Sequence, residues 1–494
     1  MKFLRLFGST SQRDAVLASI DYKILQKTEG VPGVGIAKGT WVNPKRTPFY
    51  IEDVSGSENT VQIMLELADW YEGSDSALTI EKSTDGTTWE TMGKTSTTGI
   101  TATIPANSKL YLRCNTTAWG YYDESNEIFS YNYINTTGNC NVGGNIMSLL
   151  YGSNFTGNET AFPSGSTYTF YSLFSSNTHL VNASNLLLPA ATLTHSCYNN
   201  MFHYCTSLTT APALPATTLA QDCYGNMFDG CKSLTTAPAL PATTLAQGCY
   251  GNMFMGCTSL ATAPELPATT LANACYNWMF RGCTSLTTAP TSLPATTLVD
   301  WCYSGMFSNC TSLTTAPELP ATRLFNDCYR EMFSGCTSLN YIKCLATDIS
   351  GYCTYNWVKN VAATGTFVKD LHMFSWTTGN SGIPSKWTVL NDIDFGQPIT
   401  VSVFDEGDFM GTESQGTVTI NGGTDSVTCR LNDIVTLEAT PLAPYVFNIW
   451  YEGVTDNVLS MENPASITIT PELMSIAASS DNELYIVGSF AAPN

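Results

Sequence analysis

Six times along this chain the string Cys-Tyr-x-x-Met-Phe-x-x-Cys-x-Ser-Leu returns, beginning at Cys197, Cys223, Cys249, Cys275, Cys302 and Cys328. Read from those positions, the steps are 26, 26, 26, 27 and 26 residues. The long step carries one inserted residue in Thr291-Ser292-Leu293-Pro294, where other units read Ala-Leu-Pro or Glu-Leu-Pro, so that stretch is a loop. Repetition at this period narrows the fold sharply. A unit so short cannot enclose its own apolar residues, so neighbours must stack and share one continuous core.

Within a unit, taking the second as example, the apolar residues Cys223, Tyr224, Met227, Phe228 and Cys231 fall at i, i+1, i+4, i+5 and i+8. That spacing predicts one stripe of a short helix facing a core. Gly230, Gly256, Gly282 and Gly335, with Asn309 in the same place, accept the left-handed backbone that closes a helix, and Tyr204 is the exception. Leu234-Thr235-Thr236-Ala237-Pro238 reads as extended chain that Pro238 terminates, because proline cannot donate to a sheet ladder. The predicted core positions include Tyr198, Met201, Phe202, Tyr224, Met227, Phe228, Tyr250, Met253 and Phe254. At roughly 1.5–3 kcal/mol per large buried side chain, a turn offsets its ordering entropy only with neighbours on both sides, so the ends need caps. Phe170, Leu173, Phe174 and Leu180 predict the N-terminal cap, and Cys353-Thr-Tyr-Asn-Trp357 a degenerate seventh unit.

The repeat resembles the BspA-like class of leucine-rich repeats, whose units carry Phe-x-x-Cys-x-x-Leu as Phe202-His-Tyr-Cys205-Thr-Ser-Leu208 does here. The resemblance spans about 169–389. The longer form, with Leu-Pro-Ala-Thr-Thr-Leu, Gly365-Thr-Phe-Val and Ser381-Gly-Ile-Pro-Ser-Lys-Trp-Thr388, is similar to proteins of Bacteroides and of the crAss-like phages that infect them. It implies a solenoid used for surface adhesion or recognition.

A chain of 494 residues is long enough for about three domains. Residues 1–45 read as an attachment arm. Strand-like runs at 60–67, 77–82, 101–104 and 109–114 predict a β-sandwich over 46–155. The repeats and their caps occupy 156–390. The remainder, 391–494, reads as a small β domain resembling an internalin-type B-repeat. The expected fold class is therefore α+β multidomain: arm, β-sandwich, solenoid, small β domain.

Composition limits the chemistry. With 21 basic against 41 acidic residues and a net charge of −20, the chain repels phosphate backbones and anionic lipid, which argues against nucleic-acid and membrane partners. The basic start, Lys2, Arg5 and Arg13, is broken by Gly8-Ser-Thr-Ser-Gln12 rather than followed by an apolar stretch, so no Sec signal is expected, and no run reaches a membrane span. Synthesis and folding in a cytoplasm, with the 17 cysteines reduced, follow from that reading. The paired cysteines lie eight residues apart, about 12 Å on a helix, beyond the ~7 Å that a disulfide spans. Zinc spacings are missing, and buried thiols are the expectation. His179, His195, His203 and His372 share no spacing and carry no His-Glu-x-x-His context. Gly33-Val-Gly35 lacks the lysine and helix context of a phosphate loop. Asp405, Glu406 and Asp408 with Asp392 and Asp394 have calcium-type oxygens, yet read as a solvated acidic loop. No catalytic, metal or cofactor site is expected.

Thr209, Thr235, Thr287 and Thr314 recur at one position, with Ala261 interrupting. A hydroxyl row of this kind stabilises a ladder and also offers a ligand face. Trp278, Trp301 and Tyr204 vary between units and complete the candidate ligand contacts. The reading is a non-enzymatic adhesion protein on a virion surface: a phage head or tail fibre, trimeric, joined to capsid or tail proteins by its arm and presented to host surface or glycans. The alternative is a bacterial cell-surface BspA-like adhesin.

Overall fold

The computed structural model describes residues 44–67, 76–123, 128–349, 352–370, 373, 376–392, 399–430, 432–478, 480 and 482–492. The protein is β-rich, with several open sheets and three short α-helices among these residues. No described helix is long and apolar enough to cross a membrane.

The first strands are β1 (Tyr50–Asp53), β2 (Asn59–Leu67), β3 (Thr79–Ser83), β4 (Glu90–Lys94), β5 (Ile100–Ile104), β6 (Lys109–Cys114), β7 (Gly120–Asp123), β8 (Ile128–Thr136) and β9 (Cys140–Asn145), followed by α1 (Ser148–Tyr151) and β10 (Leu180–Leu187). Alternation sets the burial: β2 turns Val61, Ile63 and Leu65 inward, and β6 turns Leu110, Leu112 and Cys114 inward. One sheet has the order β10-β9-β1-β6-β3-β4 and the other β5-β2-β8-β7. Their inner faces share one core with Trp119, whose indole donates to the Leu149 carbonyl at 3.0 Å. That core continues without a break into the repeats, ending at Trp387.

Strand β10 carries the sheet into the repeats by pairing in parallel with β9. From there single-residue parallel bridges replace strands: Asn182 to Thr210, Thr210 to Thr236, Thr262 to Thr288. The reason is Pro212, Pro238, Pro264, Pro290 and Pro317, each two residues beyond the bridging position and without an amide to lengthen the ladder. Where proline is missing, full parallel strands form again as β11 (Tyr341–Cys344), β12 (Thr366–Asp370) and β13 (Thr388–Asp392).

The helix expected across 223–231 does not form. Asp222, Asn226 and Gly230 have φ of 53°, 51° and 72°, a left-handed residue at every fourth position. Alternate amides close turns within the coil, Gly225 to Asp222 at 3.1 Å and Met227 to Tyr224 at 3.2 Å. The others donate to the next coil, Tyr224 to Cys249 at 3.0 Å, Asn226 to Gly251 at 2.9 Å and Phe228 to Met253 at 2.9 Å. The spacing i, i+1, i+4, i+5, i+8 has a period of four, and a helix of 3.6 residues per turn would rotate it about 40° out of line every four residues. A chain of turns holds it fixed. Tyr204, with φ 55°, takes the same backbone as the glycines in its column and is no exception.

The last strands are β14 (Ile399–Asp405), β15 (Gly416–Ile420), β16 (Ser426–Cys429), β17 (Ile434–Pro441), β18 (Val446–Glu452), β19 (Val458–Ser460), β20 (Ala465–Thr468) and β21 (Glu483–Ala491), with α2 (Glu406–Met410) and α3 (Pro471–Ala478). Sheets ordered β16-β14-β21-β18-β19 and β15-β17-β20 enclose a separate core around Trp450.

Candidate binding surface

All nine predicted core residues, Tyr198, Met201, Phe202, Tyr224, Met227, Phe228, Tyr250, Met253 and Phe254, are at most 1% exposed. Successive Phe rings from Phe174 to Phe333 stack with centroids 5.4 to 5.8 Å apart. Phe170 begins the parallel tyrosine column at 5.9 Å from Tyr198, and Trp357 closes it at 6.2 Å from Tyr329. Every cysteine is buried and none forms a disulfide. The second thiol of each coil donates to the Phe carbonyl of the preceding one, as Cys231 does to Phe202 at 3.0 Å and Cys257 to Phe228 at 3.1 Å. Burial pushes Cys283 and Cys336 up to about 12, so these thiols stay protonated and unreactive at neutral pH.

Thr209, Thr235, Thr287 and Thr314 form an exposed row beside the bridges. Thr209 and Thr287 turn their hydroxyls back to the carbonyls of Val181 and Ala261, at 3.0 and 3.3 Å. Beside this row lies an open groove of about 490 Å³, lined by Pro212, Leu214 and Pro215 of one coil and Pro238 and Pro241 of the next. Among the described residues none that lines it is titratable. Ala213 and Ala239 are replaced farther along by Glu265, which accepts from Thr291 Oγ1 at 3.1 Å, and Glu318, 3.8 Å from Lys343.

The aromatic candidates lie in different columns from the threonines, at the left-handed corners. Trp278 rests on Gly305 of the next coil, where a β-carbon would sit 2.1 Å from its ring, and carries the Arg281 guanidinium at 4.7 Å. Trp301, 38% exposed, faces Arg330 at 5.7 Å. Tyr204 covers Gly230 in the same manner. The structure thus divides the candidate ligand residues into a threonine row and a set of corner rings.

Stacking also assembles a row that residue spacing did not disclose. His203 lies 3.5 Å from Ser175 Oγ and 3.4 Å from Asp229 Oδ2, one residue from each of three successive coils. An acyl-transfer site would need free amides to hold an oxyanion. Here the Ser175 and Ser176 amides are already committed to the Ser172 and His203 carbonyls, at 2.9 and 2.7 Å. His195 approaches Asp222 at 3.9 Å, the His179 carbonyl accepts from Cys140, and His372 lies outside the described residues.

The acidic residues near α2 are individually engaged. Asp405 caps the helix, accepting from Gly407 at 2.9 Å; Glu406 accepts from Ser489 at 2.6 Å; Asp392 pairs with Lys343 at 2.9 Å. Asp394 lies outside the described residues, as do Gly33-Val-Gly35 and nearly all of the arm. Among the described residues no three His, Cys, Asp or Glu side chains converge as metal ligands would. No sequence profile of a known family matches the chain, and no curated protein matches it.

Proposed function

We propose that this chain is a non-enzymatic structural and adhesion protein whose stacked coils are a BspA-like leucine-rich-repeat solenoid, carried on a bacteriophage virion as a head or tail fibre. The observation that carries the reading is constancy inside and variety outside. The Tyr, Met and Phe positions repeat and are buried, while the first corner column runs Ser196, Asp222, Gly248, Ala274, Trp301, Asp327. Repeat surfaces of this kind vary to suit a ligand without disturbing the core.

The thiols favour the virion over the alternative, a bacterial cell-surface BspA-like adhesin. All 17 are buried and none forms a disulfide, and the second of each pair serves as a hydrogen-bond donor that a disulfide would abolish. Such a chain suits folding in a reducing cytoplasm and release by lysis. On this reading the arm at 1–45 joins capsid or tail proteins, the coils and C-terminal sheets meet host surface or glycan, and the fibre is a homotrimer.

Mass spectrometry of purified particles tests the assignment, with the chain expected among the virion proteins; its absence there removes the fibre reading. Light scattering of the full chain is expected to return three times the chain mass of 53.5 kDa, and a monomer mass removes the trimer.

A further inference from the structure

Strand β8 turns polar side chains inward along much of its length. Ser130, Asn132 and Thr136 face the core with Ile134, at 0%, 1%, 5% and 0% exposure, while Phe129, Tyr131 and Tyr133 point away from it. The inward polar groups are satisfied. Asn132 donates to the Ser76 and Trp119 carbonyls at 2.9 and 3.2 Å and accepts from Thr95 Oγ1 at 2.6 Å. The Ser130 hydroxyl meets that of Ser76 at 2.6 Å, and Thr136 donates to Asn177 at 3.2 Å. The fold therefore does not need the outward rings in order to fill its core.

Those rings form a continuous surface. Strand pairing sets Met64 beside Tyr133, Glu66 beside Tyr131, and Tyr122 beside Phe129. The chain leading into the first coil adds Tyr168 and Tyr171: Phe129 meets Tyr171 edge-on at 4.6 Å, Tyr131 meets Tyr171 at 5.5 Å and Tyr133 at 6.0 Å, and Tyr122 meets Tyr168 at 5.8 Å. Packing of sheet against coil accounts for Phe129 and Tyr171. It does not bury Tyr122, which stays 37% exposed on the sheet edge against Tyr168, and Tyr133 packs within the sheet, its hydroxyl donating to Met64 Sδ at 3.2 Å.

We propose that this face of β2, β8 and β7 is a binding platform for a neutral polysaccharide. Of its six rings, five are tyrosines, which present an apolar face to sugar C–H groups and a hydroxyl to sugar oxygens. Mutual edge-to-face packing holds the rings in place, so little side-chain entropy is lost on binding. Exposed Glu66 stands at the rim as an acceptor for sugar hydroxyls, and Asn200, bonded to the Tyr171 hydroxyl at 2.9 Å, fixes that ring. Burial and the neighbouring Glu66 push Tyr131 up to about 12, so its hydroxyl remains a donor. Glu66 and the net charge of −20 select against acidic polymers. The proposal rests on the reading of the chain as a binding protein and gives that reading a site.

Affinity electrophoresis of the full chain through gels containing laminarin, yeast mannan or dextran tests it, with polygalacturonate as the anionic control. At least one neutral polymer is expected to retard the protein and polygalacturonate is not. Tyr122→Ala or Tyr133→Ala is expected to weaken the retarding interaction about tenfold, the loss of one stacked ring, with the denaturation midpoint unchanged. Val54→Ala, 43% exposed just beyond β1 of the other sheet, should leave it intact. Should an alanine variant melt early, exposed Glu66→Ala takes its place with an expected loss of about fivefold. No retardation by any neutral polymer overturns the proposal, as does retardation that survives the platform variants. Loss with Trp301→Ala instead places binding on the coils: the platform falls and the binding-protein reading stands. Self-association abolished by Tyr122→Ala would make a second copy the occupant. The particle mass spectrum is independent of all these outcomes.

Discussion

Positive φ recurs three times in each repeat, in the second at Asp222, Asn226 and Gly230, and the cost depends on which residue bears it. Asparagine and glycine accept this backbone readily, whereas another L residue pays about 1–2 kcal/mol. Ala274, at φ 55°, has neither glycine's freedom nor a polar side chain to offset the strain. Ala274→Gly is therefore expected to raise stability by about 0.5–1 kcal/mol after the entropy of a freer unfolded chain is deducted; a lower urea midpoint would show that the methyl's contacts matter more. Phe228 presents the opposite case, since its ring is stacked between Phe202 at 5.4 Å and Phe254 at 5.6 Å. Phe228→Ala should cost about 3–5 kcal/mol. A loss under about 1 kcal/mol in denaturant melts would mean the column contributes little.

Each coil is an element held by two hydrogen-bond systems at once, turns within and bridges between, with two thiols buried in it. Burial raises Cys275, Cys283 and Cys336 from the ordinary 9.0 to about 12. The folded state thus keeps these protons to higher pH than the unfolded state does. Their contribution to stability is complete below about pH 9 and is lost as pH climbs towards about 12, by up to ~1.4 kcal/mol per pH unit for each thiol. Twelve thiols sit in the six repeats, so the decline should be steep. Urea midpoints are expected to be level from about pH 6 to 8 and to fall sharply above about pH 9.5; a midpoint unmoved at about pH 11 would contradict the buried assignment.

At the scale of the molecule, the coils are continuous with a sheet at each end, β10 in front and β11 to β13 behind, so no coil exposes both of its faces. Excision of one full period, residues 223–248, should leave Tyr198 over Tyr250 and Phe202 over Phe254 and give a folded, shorter protein. Excision of 223–235 alone should set turns against bridges and abolish cooperative melting. Circular dichroism melts of the two deletions decide the matter, and equal stability in both would rule out registered stacking.

How much of this was legible beforehand differs from place to place. The nine core positions were legible because repetition marks them whatever their backbone, and the terminating prolines because a missing amide acts locally. The turns were not, since a period of four over nine residues differs little from a helical stripe until the next coil supplies partners for the amides. Nor was the aromatic platform. Phe129-Ser-Tyr-Asn-Tyr133 alternates as though its rings faced inward, and only Ser76, Thr95, Trp119 and Asn177, brought from distant positions to bond the polar groups, decide the opposite orientation. Sequence by itself determined what repeats and where it stops. Tertiary structure decided which way the side chains point, because that choice depends on partners far along the chain.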